Sequence, residues 1–95
     1  MFHTMTEIRN ANYALGHCRF APDTMRWWNS RIVSGVLGGR YFVTSERQDD
    51  SHPRMFTVRM ANDDGSIDTV SEFMQFRTLT EARVWLWGAV PEMRA

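Results

Sequence analysis

The sequence predicts an α+β fold: a four-stranded antiparallel meander sheet with a C-terminal amphipathic helix packed on one face and short N-terminal helices before it. Across residues 30–76, apolar and polar side chains alternate with a period of two, which is typical of strands. Turns rich in glycine and aspartate interrupt this alternation and predict reversals of the chain. From Thr78 the apolar residues recur at helical spacing instead. A helix packed on a sheet makes a domain of two layers.

Length and composition indicate one small globular domain over residues 1–95. Hydrophobic types make up 43% of the chain and charged types 23%, which excludes a disordered chain, a collagen-like repeat and a disulfide-stapled scaffold. The eleven basic residues are all arginine and balance eleven acidic ones, so no net charge attracts the chain to nucleic acid or to an anionic membrane. No stretch approaches the roughly 18 consecutive apolar residues that a membrane helix needs.

A first short helix is predicted over residues 6–15. Thr6 is the expected N-cap, because a threonine hydroxyl can accept a hydrogen bond from a free amide of the first turn. Ile8, Ala11 and Leu15 share one face at helical spacing. Gly16 follows and ends the helix.

A second short helix is predicted from Pro22 to the vicinity of Asn29. Proline suits a first helical turn, where its missing N–H is not needed. The negative charge of Asp23 complements the positive end of the helix. Met25 and Trp28 are expected to face the core from this helix.

Four strands are predicted in sequence order, over residues 31–37, 40–47, 54–60 and 66–76. In the second strand Tyr41, Val43 and Ser45 share one face, and Phe42, Thr44 and Glu46 share the other. The third strand turns Phe56, Val58 and Met60 inward. Gly38-Gly39 is able to adopt the positive φ angles of a tight hairpin turn, and residues 62–65 carry a second turn signal.

The C-terminal helix is predicted over residues 78–89. Thr78 and Glu81 have the spacing of a capping box, in which each side chain satisfies a free amide at the helix start. One face of the helix carries Ala82, Trp85, Leu86 and Ala89. Gly88 and Pro91 are expected to end it.

Trp85 and Leu86 are expected to be buried between this helix and the sheet. Trp87 lies about 100° further round the helix axis, because successive residues of an α-helix are separated by that angle. Trp87 is therefore a candidate contact with a partner protein or with a second copy of the chain.

Metal, cofactor and compartment signals are few. His3, His17, Cys18 and His52 have none of the spacings typical of metal sites, so neither a metal nor a cofactor is expected. Cys18 is the only cysteine, which excludes an internal disulfide bond. The first ten residues include Glu7 and lack an apolar signal core, so the expected location is cytoplasmic.

Catalysis is not expected. A hydrolytic site needs a nucleophile, a base and an orienting acid. The one compact grouping is Ser45 or Ser51 with His52 and Asp49 or Asp50, and it falls in a polar turn without a nucleophile-elbow motif. We therefore expect no catalytic residue and no enzymatic activity.

Arginine and tryptophan are the residues that interfaces favour, and they supply the candidate binding site. The candidate partner-binding residues are Arg40, Arg47, Arg54, Arg59 and Trp87. The basic and aromatic run at residues 40–43 also has the character of strands that stack RNA bases. Acidic residues in the same hairpins oppose phosphate binding, so a protein partner is the favoured expectation.

Four segments carry a family resemblance: FAPDTMRWWNSR at residues 20–31, GGRYFVTSE at 38–46, FTVR at 56–59 and DGSIDTVSEF at 64–73. Together they resemble a group of small bacteriophage- and prophage-encoded proteins of uncharacterised function. The resemblance spans roughly residues 10–81. It implies a context, which is a small accessory gene expressed in the cytoplasm of a bacterial host, and it implies no catalytic residue.

Three functions follow as expectations. The first is a non-enzymatic accessory protein that binds a host protein or complex and inhibits or redirects it, as an anti-CRISPR or other anti-defence inhibitor does. The second is a nucleic-acid-binding accessory protein, which a basic stripe on one sheet face would favour. The third is a protein that sequesters a signalling nucleotide. A homodimer is an open alternative for the oligomeric state, and no membrane partner is expected.

Overall fold

The meander predicted from the alternating pattern is present in the computed structural model, which describes residues 1–16 and 30–90. Four strands form one antiparallel sheet in sequence order: β1 (Arg31–Ile32), β2 (Tyr41–Glu46), β3 (Met55–Ala61) and β4 (Ile67–Thr69). The helices are α1 (Met5–Leu15) and α2 (Leu79–Ala89). The predicted α+β class is confirmed. The predicted helix over residues 22–29 lies outside the described residues.

β1 is much shorter than the predicted strand over residues 31–37. After Ile32 the Ser34 hydroxyl accepts a hydrogen bond from the Val43 N–H at 2.8 Å. Because a side chain takes the place of a main-chain carbonyl there, the regular ladder ends. Pairing resumes only at an isolated bridge between Leu37 and Tyr41.

The turn between β1 and β2 has the backbone that its glycines predict. Gly38 and Gly39 have φ angles of 60° and 80°, in the left-handed region that glycine enters at little cost. The Leu37 and Tyr41 amides each donate to the other residue's carbonyl, at 2.7 and 2.9 Å, and close the turn.

β4 is also shorter than the predicted strand over residues 66–76, for a related reason. The Ser71 hydroxyl accepts a hydrogen bond from the Val58 N–H at 3.0 Å, so the chain leaves the ladder beyond Thr69. It returns to the sheet at a bridge between Phe56 and Phe76. The irregular segment between them leads the chain toward α2.

α2 covers one face of the sheet, as predicted, and we call this the α2 face. The core between them contains Tyr41, Val43, Val58, Phe76, Ala82, Leu86 and Val90. Leu86 is fully buried, and Trp85 is half-buried with its ring 5.5 Å from that of Phe76. Burial of large apolar side chains of this kind contributes about 1.5–3 kcal/mol each.

α1 covers the opposite face, which we call the α1 face, so the predicted two-layer arrangement is wrong. Ile8 packs there against Phe42, Ala61 and Ile67. All six residues of β2 are consequently buried, on both of its faces. The domain has three layers, with the sheet between two helices, because both faces of its central strands are covered.

The start of α1 differs from the prediction by two residues. Its N-cap is Thr4 instead of Thr6, and the Thr4 hydroxyl accepts a hydrogen bond from the Glu7 N–H at 3.2 Å. The Glu7 carboxylate accepts one from the His3 N–H at 3.3 Å. A threonine three residues before a glutamate was a detectable capping signal. Gly16, with φ 84°, ends the helix as predicted.

The start of α2 and its end at Ala89 both match the predicted range, 78–89. The Thr78 hydroxyl accepts a hydrogen bond from the Glu81 N–H at 3.0 Å, while the Glu81 carboxylate accepts one from the Arg77 backbone N–H at 3.2 Å. Gly88 does not end the helix, which continues to an exposed Ala89. One helical glycine costs only about 1 kcal/mol relative to alanine, which neighbouring packing offsets. Pro91 lies outside the described residues.

α1 is fastened to the turn between β3 and β4. The buried Asn12 amide donates a hydrogen bond to the Gly65 carbonyl at 3.0 Å. Gly65 has φ 95°, and a Cβ added to it would lie 2.4 Å from the Ala11 carbonyl oxygen. Only glycine permits so close an approach of the two backbones. Neither α1 nor α2, the helices of the described residues, is long and apolar enough to cross a membrane.

Replacing Asn12 with alanine is expected to lower the free energy of unfolding by about 1–3 kcal/mol, because the buried Gly65 carbonyl loses its donor. Urea unfolding followed by circular dichroism measures the change. Asn10→Ala is the matched control, since Asn10 is an exposed asparagine of the same helix. Equal losses of stability in the two variants would contradict the anchoring role of Asn12.

Candidate functional site

The sheet separates the arginines that the sequence analysis selected. β2 and β3 pair Glu46 with Met55, so Arg47 and Arg54, the residues flanking this pair, converge at one corner of the sheet. Arg40 lies at the opposite end of β2, where its guanidinium is 3.9 Å from the Asp63 carboxylate. The predicted arginines therefore do not form a single stripe.

Arg31 joins Arg47 and Arg54 at the corner, and we call these three residues the arginine corner. Ser45 lies at its centre: Arg54 Nε donates to the Ser45 hydroxyl at 2.6 Å, and Arg54 Nη2 donates to the Ser45 carbonyl at 2.8 Å. Arg31 is the register partner of Ser45 on β1, so both side chains lie on the α2 face. Arg31 is not recognisable as part of this group from the sequence, because only the register between β1 and β2 brings it here.

Positive charges are held close together in the arginine corner. Burial lowers the pKa of the Arg54 guanidinium, and the charges of Arg31 and Arg47 lower it further. The charge of Glu46 acts in the opposite direction. Arg47 Nη2 lies 2.8 Å from an Asp50 carboxylate oxygen. Its Nε is buried and has no hydrogen-bond partner among the described residues.

Arg59 lies on the α1 face and belongs to a buried polar network. The Glu46 carboxylate is only 1% exposed and accepts a hydrogen bond from Arg59 Nη2 at 2.9 Å. Further donors to it are the hydroxyls of Ser30, Thr44 and Thr57. A buried carboxylate needs partners of this kind, since an uncompensated charge is costly away from water.

The remaining donors of Arg59 extend the same network. Its Nε donates to the Thr44 hydroxyl at 3.1 Å, and its Nη1 donates to the Thr69 hydroxyl. Its guanidinium carbon lies 5.6 Å from the centre of the Phe73 ring, within the range of a cation–π interaction. Arg59 is 15% exposed, so the network uses its guanidinium chiefly to stabilise the sheet.

The outward side of α2 carries an exposed apolar surface. One row of exposed residues at helical spacing, which we call the outer row, consists of Thr80, Arg83, Val84, Trp87 and Gly88. Val84 is 67% exposed and Trp87 is 55% exposed. Trp87 thus projects away from the sheet, as its angular position relative to Leu86 predicts.

The compact serine, histidine and aspartate grouping forms, but its geometry is not that of a catalytic triad. One Asp49 oxygen accepts hydrogen bonds from the Ser51 amide and hydroxyl and lies 2.7 Å from His52 Nδ1. Ser51 Oγ is 3.3 Å from the same ring nitrogen. A triad needs the acid and the nucleophile on opposite ring nitrogens. These three residues instead hydrogen-bond to one another within an exposed turn.

These hydrogen bonds determine how Asp49 titrates. The Ser51 hydroxyl, the His52 ring and the Ser51 amide lower the pKa of Asp49 from 3.8 to about 2. The folded-state pKa lies below the ordinary value, so deprotonated Asp49 favours the folded state above pH 3.8. That contribution is lost as the pH falls from 3.8 through about 2.

We expect a carboxyl ¹³C NMR titration of the folded protein to show a midpoint for Asp49 near 2. Ser51→Ala should move this midpoint upward, because the Ser51 hydroxyl is the largest cause of the shift. Asp63, an exposed aspartate in another turn, serves as an internal reference. An Asp49 midpoint that Ser51→Ala leaves unchanged would show that the hydroxyl does not stabilise the carboxylate.

Metal-binding groups do not converge within the part of the chain that the structure describes. No three histidine, cysteine, aspartate or glutamate side chains there are placed to hold an ion. His17 and Cys18, two of the metal-binding residue types present in the sequence, lie outside the described residues.

A comparison with known protein families matches most of the chain. A family of unknown function, DUF7447, matches residues 4–86, a range that includes α1, the sheet, the arginine corner and α2 as far as Leu86. No curated protein and no solved structure matches the chain. Because the match covers most of its length, the chain belongs to the DUF7447 family of unknown function.

Proposed function

We propose that the protein is a non-enzymatic accessory protein of bacteriophage type, which binds a host protein in the bacterial cytoplasm and inhibits or redirects it. Anti-CRISPR proteins and other anti-defence inhibitors are the class with this mode of action. The observation that carries the proposal is the outer row of α2, where Val84 and Trp87 are exposed one turn apart.

The composition of the outer row supports binding to a protein. The solvated side of a helix normally carries charged and polar residues. Here Arg83 supplies the only formal charge, while Val84, Trp87 and Gly88 supply an apolar surface. Tryptophan and arginine are the residues most enriched among those that dominate binding energy.

The shape of the outer row indicates the kind of partner. Its residues follow the spacing by which a helix presents one side to a hydrophobic groove. A Cβ at Gly88 would meet no atom within 4 Å, so a partner can approach the helix backbone there. The opposite side of α2 is held by Leu86 in the core, which fixes the helix before binding. The proposed partner is a protein with an apolar groove and an acidic rim facing Arg83.

Nucleic-acid binding is less well supported by the distribution of charge. A binding stripe would need its arginines on one face, where each could contact a phosphate. Arg59 lies on the α1 face in an ion pair with Glu46, and Arg40 lies near Asp63 at the far end of the sheet. The exposed aromatic side chain of Trp87 is on a helix and not on a strand platform.

The proposal is tested with tagged wild-type protein and two variants, Trp87→Ala and Tyr13→Ala. Tyr13 is the matched control, because it is an aromatic residue of α1 with similar exposure, 48%. Host lysate supplies candidate partners, and the protein retained by the wild type is then purified for calorimetric titration. We expect Trp87→Ala to weaken its binding about 30-fold, or about 2 kcal/mol, and Tyr13→Ala to leave it nearly unchanged.

Two results would overturn the proposal. Equal affinity of wild type and Trp87→Ala would show that the outer row does not contact the partner. Light scattering that shows a wild-type dimer, and a monomer after Trp87→Ala, would assign the outer row to a second copy of the chain. The thermal unfolding of both variants must match the wild type, so that lost binding is not lost folding.

A further inference from the structure

We infer that a turn over residues 72–75, which we call the Phe73 turn, is a protein-binding surface separate from the outer row of α2. Its partner is a protein segment that carries an arginine or lysine beside an apolar side chain. The Phe73 ring faces the Arg59 guanidinium, so the turn lies on the α1 side of the sheet, whereas α2 covers the other side. Binding at this turn is additional to the proposed function.

Phe73 projects into solvent from a tight turn. The Gln75 N–H donates a hydrogen bond to the Glu72 carbonyl at 3.2 Å, which closes a four-residue turn with Phe73 at its second position. The Phe73 side chain is 51% exposed. A single exposed apolar residue is common on protein surfaces, so the backbone that carries Phe73 is the more informative feature.

That backbone is strained at the residue after Phe73. Met74 has φ 60° and is the one described residue other than glycine with a positive φ. Glycine or asparagine normally occupies this third position of a turn, because a Cβ makes the left-handed region unfavourable. Strained residues persist where surrounding contacts fix them, and they are concentrated at functional sites. The turn therefore presents Phe73 in a shape that local backbone preference alone would not select.

Contacts with the sheet and within the turn fix this shape. The Met74 N–H donates to the Thr57 hydroxyl at 2.8 Å, and that hydroxyl donates to the buried Glu46 carboxylate at 3.0 Å. The Gln75 side-chain oxygen accepts a hydrogen bond from the Glu72 N–H at 2.9 Å. The strained residue is thus fastened to the polar network in the middle of the sheet.

The Phe73 ring is ordered by the same network. One side of the ring lies 5.6 Å from the Arg59 guanidinium carbon, and Glu46 holds that guanidinium at 2.9 Å. A side chain that is already ordered loses little conformational entropy on binding. Phe73 is therefore a preorganised aromatic anchor, whose exposed part remains available to a partner.

The charge beside Phe73 indicates a basic partner. Glu72 is exposed, and its carboxylate has no hydrogen-bond or ion-pair partner within the described residues. An arginine or lysine of a partner can lay its aliphatic stem against the Phe73 ring and bring its charged end to Glu72. The same carboxylate repels the phosphates of nucleic acid and of anionic lipid, so a protein is the favoured partner.

The experiment follows the amide and phenylalanine-ring NMR signals of the isotopically labelled full chain at low salt. The probes are two tetrapeptides with blocked ends, one alternating leucine with arginine and one alternating leucine with glutamate. A short single-stranded oligonucleotide is a third arm, and sodium chloride at matched ionic strength is the blank. We expect saturable shifts of the Phe73 and Met74 signals with the arginine peptide, and none with the glutamate peptide or the oligonucleotide.

Variants of the turn separate the roles of its residues. Phe73→Ala should weaken binding of the arginine peptide about tenfold, because it removes the anchor. Glu72→Gln should weaken binding about two- to fivefold, since it removes an exposed ion pair, and it keeps the test valid if Phe73→Ala disturbs folding. Tyr13→Ala, at an exposed aromatic residue of α1, is the matched control and should bind like the wild type. Met74→Gly should raise the midpoint of thermal unfolding, because glycine adopts a positive φ without strain.

Several outcomes would overturn the inference. They are an absence of saturable shifts with the arginine peptide, an equal response to the glutamate peptide, and wild-type affinity in both Phe73→Ala and Glu72→Gln. A lower unfolding midpoint in Met74→Gly would show that the turn is not strained. Oligonucleotide shifts at Phe73, or a wild-type dimer that Phe73→Ala dissociates in light scattering, would assign the turn to nucleic acid or to a second copy. Trp87→Ala should bind the arginine peptide normally, so failure here is distinguishable from failure of the proposed function.

Discussion

Replacing Arg59 with methionine is expected to lower the free energy of unfolding by about 3–5 kcal/mol, because it leaves the buried Glu46 carboxylate without its cation. Glu46 is 1% exposed and lies 2.9 Å from Arg59 Nη2, so water cannot replace the lost partner without opening the sheet. The change also removes donors to the hydroxyls of Thr44 and Thr69. Chemical unfolding monitored by tryptophan fluorescence and by circular dichroism measures the loss.

A double-mutant cycle separates the ion pair from its surroundings. Glu46→Leu combined with Arg59→Met should be markedly more stable than Arg59→Met alone, because no buried charge remains. Arg40→Met is the matched control: its contact with Asp63 is 3.9 Å long and largely exposed, so the loss should stay below about 1 kcal/mol. If the loss of stability in the double variant equals the sum of the losses in Glu46→Leu and Arg59→Met, the two side chains do not stabilise each other.

Replacing Leu86 with alanine is the second change with a large expected effect, a loss of about 2–5 kcal/mol in the free energy of unfolding. Leu86 is fully buried in the core between α2 and the sheet, where it lies with Val43 and Val58. The truncation removes apolar contacts and leaves a cavity in a core bounded by rigid strands. The free energy of unfolding of a small domain is only about 5–15 kcal/mol, so a loss of this size is a large fraction of it.

Trp87→Ala provides the comparison one residue along the same helix. Trp87 is 55% exposed. Although its side chain is larger, Trp87→Ala should lower the free energy of unfolding by much less than Leu86→Ala does. Thermal and urea unfolding of both variants give the two values. A larger loss for Trp87→Ala would mean that the assigned rotation of α2 is wrong and that its outer row is core.

The meander and α2 could be predicted from sequence because their signals are local. Tyr41 and Val43 alternate with Phe42 and Thr44 over a short run, and the two glycines before them take the positive φ angles that a hairpin turn needs. The capping signal at Thr78 likewise needs only the next three residues. Strand ends were less predictable, since the hydroxyls of Ser34 and Ser71 replace main-chain partners only after neighbouring strands have met.

The candidate sites were predicted only in part, for a different reason. The exposure of Trp87 follows from its angular position on one helix, which can be worked out from the sequence alone. The arginine corner depends on the pairing of Arg31 with Ser45 and of Glu46 with Met55, which joins segments distant in sequence. Arg59 has the same residue type as Arg47, but strand alternation places it on the other face, beside a carboxylate.

By itself, the sequence determined the type and order of the elements, because side-chain periodicity, turn glycines and capping threonines act over a few residues. The tertiary structure alone decided that α1 covers the second sheet face, that Glu46 is buried with Arg59, and that three arginines share one corner. The physical reason is strand register. A period of two specifies alternate faces, whereas packing of the whole chain determines which residues become neighbours and which face is buried.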